Sequence, residues 1–85
     1  MDKEWLITFR SVTFGQKGEA VLKRAGIPCS LQRTPKILSE RGCSYCLRVR
    51  GSEILAAVEQ LKQKQVAYGK CYAITGSGRP EERVL

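Results

Sequence analysis

The sequence contains no histidine. Acid–base catalysis by an imidazole is therefore excluded within this chain, and so is a metal centre built on imidazole nitrogens. No apolar run approaches the ~18 residues that a membrane-crossing helix needs. The opening Met1-Asp2-Lys3-Glu4-Trp5 carries acidic groups ahead of only a short apolar run, which is unlike a secretory leader. The expectation is a cytoplasmic protein with no membrane partner, whose thiols rest reduced. A Gly-rich phosphate loop and a Schiff-base context are also missing, so no organic cofactor is expected. Acidic residues are scarce as well: 8 Asp and Glu stand against 15 Lys and Arg, a net charge of +7. That balance favours an anionic partner such as nucleic acid, phosphate groups or an acidic protein face, or else serves solubility.

The chain has 85 residues, enough for one domain. A domain of this size buries only about 60–65% of its unfolded surface. A deep, self-sufficient active site is hard to accommodate, which favours a carrier, a binding module or a subunit over a stand-alone enzyme.

Hydrophobic periodicity supplies the elements. Trp5, Ile7 and Phe9 alternate with Leu6, Thr8 and Arg10, the pattern of a half-buried strand. A helix is expected to start within Ser11–Phe14, with Thr13 and Gln16 at capping-box spacing. Phe14, Val21, Leu22 and Ala25 fall on its apolar face, Gly15 and Gly18 weaken it, and Gly26 and Pro28 end it. Ile27 to Arg33 reads as a second strand ended by Thr34-Pro35. Tyr45 to Val49 reads as a third, with Cys46, Arg48 and Arg50 facing outward. Ser52 is the expected N-cap of a second helix carrying Ile54, Leu55, Val58 and Leu61. Val66 to Ile74 reads as a fourth strand. The order is βαββαβ. It predicts an α+β, ferredoxin-like domain over residues 1–75, with two helices on one face of a four-stranded antiparallel sheet. Residues 76–85 are rich in Gly, Ser, Pro and charge and are expected to form a flexible tail.

The four cysteines are Cys29, Cys43, Cys46 and Cys71. Cys43-Ser44-Tyr45-Cys46 is a C-x-x-C, which fits a redox pair, a metal site, one reactive thiol or plain packing. Structural zinc needs four ligands, and the expected fold puts Cys29 and Cys71 on opposite edges of the sheet, about three strand spacings of ~4.8 Å apart. No metal is therefore expected. A thioredoxin-type pair needs a helix N-terminus, whereas this motif runs into a strand. A Cu(I) chaperone of this fold would carry its cysteines in the loop after the first strand, and Ser11–Gly15 has none. One reactive thiol needs only access and positive surroundings. Cys43 follows Gly42, which permits close backbone approach. Arg33, Lys36 and Arg41 lie upstream and Arg48 and Arg50 downstream, a field that lowers a thiol pKa. Cys29 and Cys71 are expected to be packing residues.

Thr34-Pro35-Lys36, followed by Ser39-Glu40-Arg41-Gly42-Cys43-Ser44-Tyr45-Cys46-Leu47-Arg48-Val49, resembles the signature of the Se/S carrier protein-like domains, a family of small bacterial proteins. The strand Leu6-Ile7-Thr8-Phe9 and the helix after it fit the same pattern, so the resemblance covers about residues 4–74. It departs at Ser44, where Gly is usual, and at Lys36, where Arg is usual. The resemblance implies a domain that holds sulfur or selenium on Cys43 and hands it on. Cys46 is then a candidate resolving thiol, and Arg33, Lys36, Arg41, Gly42 and Arg48 form the anion-stabilising surroundings. The implied partners are a sulfur or selenium donor enzyme and an acceptor, tRNA or another anion among the possibilities. The rival reading is a basic nucleic-acid-binding or protein-interaction module without cysteine chemistry. Under the expected register, the face opposite the helices carries Thr8, Arg10, Cys46, Arg48 and Arg50 and lacks an aromatic platform for bases.

Overall fold

The computed structural model describes residues 4–36, 45–76 and 78–84. The chain is an α+β fold with two helices among the described residues and one antiparallel sheet. Its strands are β1 (Glu4–Phe9), β2 (Cys29–Arg33), β3 (Tyr45–Arg50), β4 (Cys71–Ile74) and β5 (Pro80–Arg83), in the spatial order β2-β3-β1-β4-β5. Helix α1 is Val12–Arg24, and helix α2 is Ile54–Gln63, preceded by a 3₁₀ turn over Gly51–Glu53.

The sheet therefore has five strands, not the expected four. The additional strand, β5, lies in the segment that composition marks as a tail. A hairpin turn joins it to β4: the Gly78 N–H donates to the Thr75 carbonyl at 2.8 Å, and the Thr75 N–H donates to Arg79 O at 3.0 Å. Gly78 takes φ 84°, which glycine reaches without strain. Pro80 and the charged residues that follow suit an outer strand, where no further chain need pair.

β1 lies between β3 and β4 and pairs with both, Ile7 facing Leu47 on one side and Cys71 on the other. The main core collects Trp5, Ile7 and Phe9 with Leu47, Val49, Ala73 and the helix residues Leu22, Ala57, Val58 and Leu61. Each such Val, Leu, Ile or Phe burial is worth about 1.5–3 kcal/mol. The other face of the sheet is not the open basic surface expected from alternation. Leu6, Cys46 and Tyr72 form a second buried cluster there, and Thr8 is 1% exposed. Thr8 is satisfied within the fold: its Oγ1 accepts from Lys70 N at 2.8 Å and donates to Lys70 O at 3.2 Å.

Both helices end the same way. In α1, the Gly26 N–H donates to Lys23 O and the Ile27 N–H to Leu22 O. In α2, the Gln65 N–H donates to Lys62 O and the Val66 N–H to Leu61 O. These are Schellman motifs with buried Ile27 and Val66 just beyond the turn. Gly26 adopts φ 79° and Gln65 φ 57°. The motif explains why the strand expected from Val66 begins only at Cys71: Val66 is bonded back to its helix. The helix starts also differ from expectation. Ser11, not Thr13, caps α1, its Oγ accepting from Phe14 N at 3.3 Å. Ser52 lies inside the 3₁₀ turn, and Glu53 precedes α2 without a side-chain cap.

Gly15 and Gly18 do not leave the first turns of α1 irregular; they let the helix lie close to the sheet. A Cβ on Gly18 would stand 2.9 Å from Phe9 Cζ and 3.2 Å from Leu47 Cδ1, while one on Gly15 would meet the Leu31 Cδ1 methyl at 2.8 Å. Phe9 and Leu47 are fully buried, whereas Leu31 is half-buried and can turn aside. Overpacking costs about 1–3 kcal/mol, against a helix-propensity gain near 1 kcal/mol from Gly to Ala. Gly18→Ala is therefore expected to lower stability by about 1 kcal/mol. Gly15→Ala should be near neutral, and paired urea denaturations distinguish the two.

Candidate functional site

Three of the residues expected at the site, Arg41, Gly42 and Cys43, lie outside the described residues. The structure describes the positions on either side. β2 ends at Arg33, and β3 begins at Tyr45, two positions after Cys43 in the chain. Arg33 pairs with Tyr45, and Tyr45 with Phe9 at the end of β1. The β2–β3 connection thus leaves and re-enters the sheet at the end where β1 gives way to α1. The Arg33 guanidinium carbon stands 5.9 Å from the centre of the Tyr45 ring, a cation–π contact that anchors this corner. Lys36 is exposed three residues further on.

Among the described residues, Arg33 and Arg48 do not come together. Residues paired across antiparallel strands share a face. Arg33 and Tyr45 therefore lie on the helix-bearing face. Cys46 and Arg48 lie on the other face, with Thr8 and Leu6 as their partners on β1. Arg48 is also three residues farther along β3 than Tyr45, and its guanidinium pairs with Glu4 at 3.6 Å. Both ends of that pair are about half exposed, so the pair contributes little to stability.

Cys46 is fully buried and is a free thiol. Its Sγ lies 4.0 Å from the Arg33 carbonyl, towards which its S–H points. Burial pushes its pKa up, and the Thr34 hydroxyl and Arg48 charge pull weakly the other way. Thr34 lies against the thiol, yet its buried Oγ1 completes no hydrogen bond of ordinary geometry among the described residues. We read the Thr34 influence as proximity and not as a formed bond.

Cys29 and Cys71 are likewise free. Cys29 is half-buried, with Sγ 3.9 Å from the Glu19 carbonyl; burial and then the Glu19 charge raise its pKa against Lys23. Cys71 is buried in the main core, and burial raises its pKa from 9.0 to about 11, with Lys62 opposing. All three described thiols therefore stay protonated at neutral pH, and no three His, Cys, Asp or Glu side chains among the described residues are placed to share a metal. None of the described helices is long and apolar enough to cross a membrane.

One surface feature was not legible from periodicity. Phe14, expected in the core, is 40% exposed and lines a cleft with Arg10, Ala67, Tyr68 and Gly69. Its place on the flank of α1, one residue before the buried Gly15, is the only sequence signal for that exposure.

A family model described as "Putative Se/S carrier protein-like" matches residues 4–73 of the chain. No curated protein and no solved structure matches it.

The raised pKa of Cys71 sets a pH dependence of stability. Between pH 9.0 and about 11 the unfolded chain loses this thiol proton while the folded chain keeps it. The contribution is complete below pH 9.0 and is lost as pH rises through about 11. Urea denaturation across that window should show stability falling with pH, and Cys71→Ala should flatten that fall. An identical pH slope in the variant would contradict the assignment.

Proposed function

The chain belongs to the Se/S carrier protein-like family, and from that membership we propose that it holds a sulfane sulfur or a selenium equivalent on Cys43 and passes it to an acceptor. The observation that carries the reading is the family match over residues 4–73, which takes in β1 to β3, all but the last residue of β4, α1, α2 and the Cys43 motif together. The state of the other thiols supports it. Burial holds Cys29, Cys46 and Cys71 protonated, and a neutral, enclosed thiol is a poor nucleophile. Cys43 lies outside the described residues, and it is the one cysteine that the family resemblance implies as the carrier. It belongs to the connection at the end of the sheet where α1 begins, and the first turn of α1 carries no acidic side chain. The positive end of that helix, with Arg33 and Lys36, favours a thiolate at this end of the fold. Arg48, on the far face beside Cys46, has a smaller part.

In loading, the Cys43 thiolate attacks the outer sulfur of a donor persulfide. The new S–S bond forms on Cys43, the donor's own S–S bond breaks, and the donor leaves as a thiolate with that electron pair. In delivery, a nucleophile on the acceptor attacks the same outer sulfur and Cys43 departs as thiolate. Neither step needs an outside oxidant or reductant. A release in which Cys46 attacks Cys43, expels hydrosulfide and leaves a disulfide would first require Cys46 to be uncovered. Its burial favours direct hand-over. The donor is then a protein that presents a persulfide or its selenium counterpart.

Loading from a low-molecular-weight persulfide is expected to fall to the protein-free background in Cys43→Ser. It should persist near the parent rate in Cys71→Ala and Cys46→Ala. Mass spectrometry of the intact protein reads the added sulfur. Undiminished loading of Cys43→Ser would remove the proposal.

A further inference from the structure

The cleft beside the start of α1 has a chemistry of its own. It encloses about 400 Å³ between the β1–α1 corner and the segment leading into β4. That volume is within the range of small-ligand sites. Phe14 and Tyr68 give it aromatic walls, Arg10 supplies a guanidinium, and no carboxylate lines it among the described residues. Tyr68 is half-buried against the main core and so is a fixed wall. Phe14 is 40% exposed, a large apolar ring left to water beside a cation. Arg10 is exposed and has no carboxylate partner among the described residues. A further lysine, Lys17, is exposed one helical turn beyond Phe14 on the same flank of α1, while Lys70, next to Gly69, is engaged by Glu82 at 3.5 Å. The chain as a whole carries +7.

Aromatic faces joined to scattered cations fit a ligand that is flat at one point and anionic along its length. We propose that this cleft binds an unpaired nucleotide of a single-stranded nucleic acid, the base lying against Phe14 and Tyr68 and the adjoining phosphate held by Arg10. A strand is favoured over a free mononucleotide because Lys17, one turn along α1 from Phe14, can meet a neighbouring phosphate. A duplex is disfavoured because its bases are stacked on each other and leave no face for Phe14. The inference does not depend on the cysteine chemistry. It places nucleic acid at the edge of the helix layer instead of on the sheet face, where Leu6, Cys46 and Tyr72 are already buried.

The test is fluorescence anisotropy of the full chain with a labelled oligouridine, with uridine monophosphate and a blunt duplex of equal charge as comparisons. Stacking on an aromatic side chain contributes about 1–3 kcal/mol per base, so Phe14→Ala should weaken oligouridine binding by about fivefold to about 150-fold. Phe14→Leu, which keeps apolar bulk without the π face, should weaken it in the same direction. Arg10→Gln should lower affinity and reduce the salt slope by about one phosphate's share. Arg24→Gln, the same charge change at the far end of α1, should leave binding within about twofold. The proposal is overturned if both Phe14 variants bind like the parent, if Arg24→Gln costs as much as Arg10→Gln, or if the duplex or the mononucleotide binds as tightly as the strand.

Discussion

From Trp5 to Phe9, β1 has water on neither face. Trp5, Ile7 and Phe9 are pressed against the helices, while Leu6 and Thr8 are shut in on the other side with Cys46 and Tyr72 as neighbours. β3, β4 and α1 take their positions directly from this strand, and β2 and β5 through β3 and β4. β3 and β4 hydrogen-bond to its two edges. α1 rests on it through the bare backbone of Gly18, which lets the Phe9 ring come within contact of the helix. Thr8 fastens the run into β4 with both its backbone and its hydroxyl. A strand enclosed on both sides has its register set twice, since a one-residue slip would expose one apolar set and bury polar groups with the other.

That constraint also decides which thiols can react. Cys46 and Cys71 are register partners of β1 residues, Thr8 and Ile7 respectively, so the sheet that holds them also desolvates them. Cys29, on the outer strand β2, is shielded less and points its S–H at a helix carbonyl. Their raised pKa values are consequences of packing, and they make these cysteines apolar building blocks. A reactive thiol in such a fold belongs in a connection between strands. In sequence Cys43 falls in the β2–β3 connection, whose described ends, Arg33 and Tyr45, lie where β1 gives way to α1.

Much of this was legible in the sequence because alternation and helical spacing record burial directly. β1, β3, α1 and α2 lie where Trp5–Phe9, Tyr45–Val49, Leu22 and Ile54–Leu61 put them. What was not legible depended on contacts between distant segments. The Gly and Ser residues before Pro80 have the composition of a tail, yet β4 offered an edge on which Pro80–Arg83 could pair. Val66 has a strand-former's side chain, but the bond from its N–H to Leu61 O keeps it with α2. Gly15 and Gly18 read as poor helix formers because propensity does not see the sheet beneath them. Outward alternation of Cys46 was correct as geometry and misleading as exposure, since a second buried cluster occupies that face. Arg33 and Arg48, close in sequence to the C-x-x-C, are separated by the pleat that puts them on opposite faces.

The most direct test of the central claim is a pH titration of the four thiols in the folded protein, by brief alkylation and peptide-level mass spectrometry. A free thiol reacts with a midpoint near ~8.5. The account predicts that Cys43 is modified first, with a midpoint below that value, while Cys29, Cys46 and Cys71 lag at higher pH and Cys71 titrates last, near 11. If Cys43 reacts no sooner than the buried three, it is not a poised thiolate, and the carrier reading is contradicted.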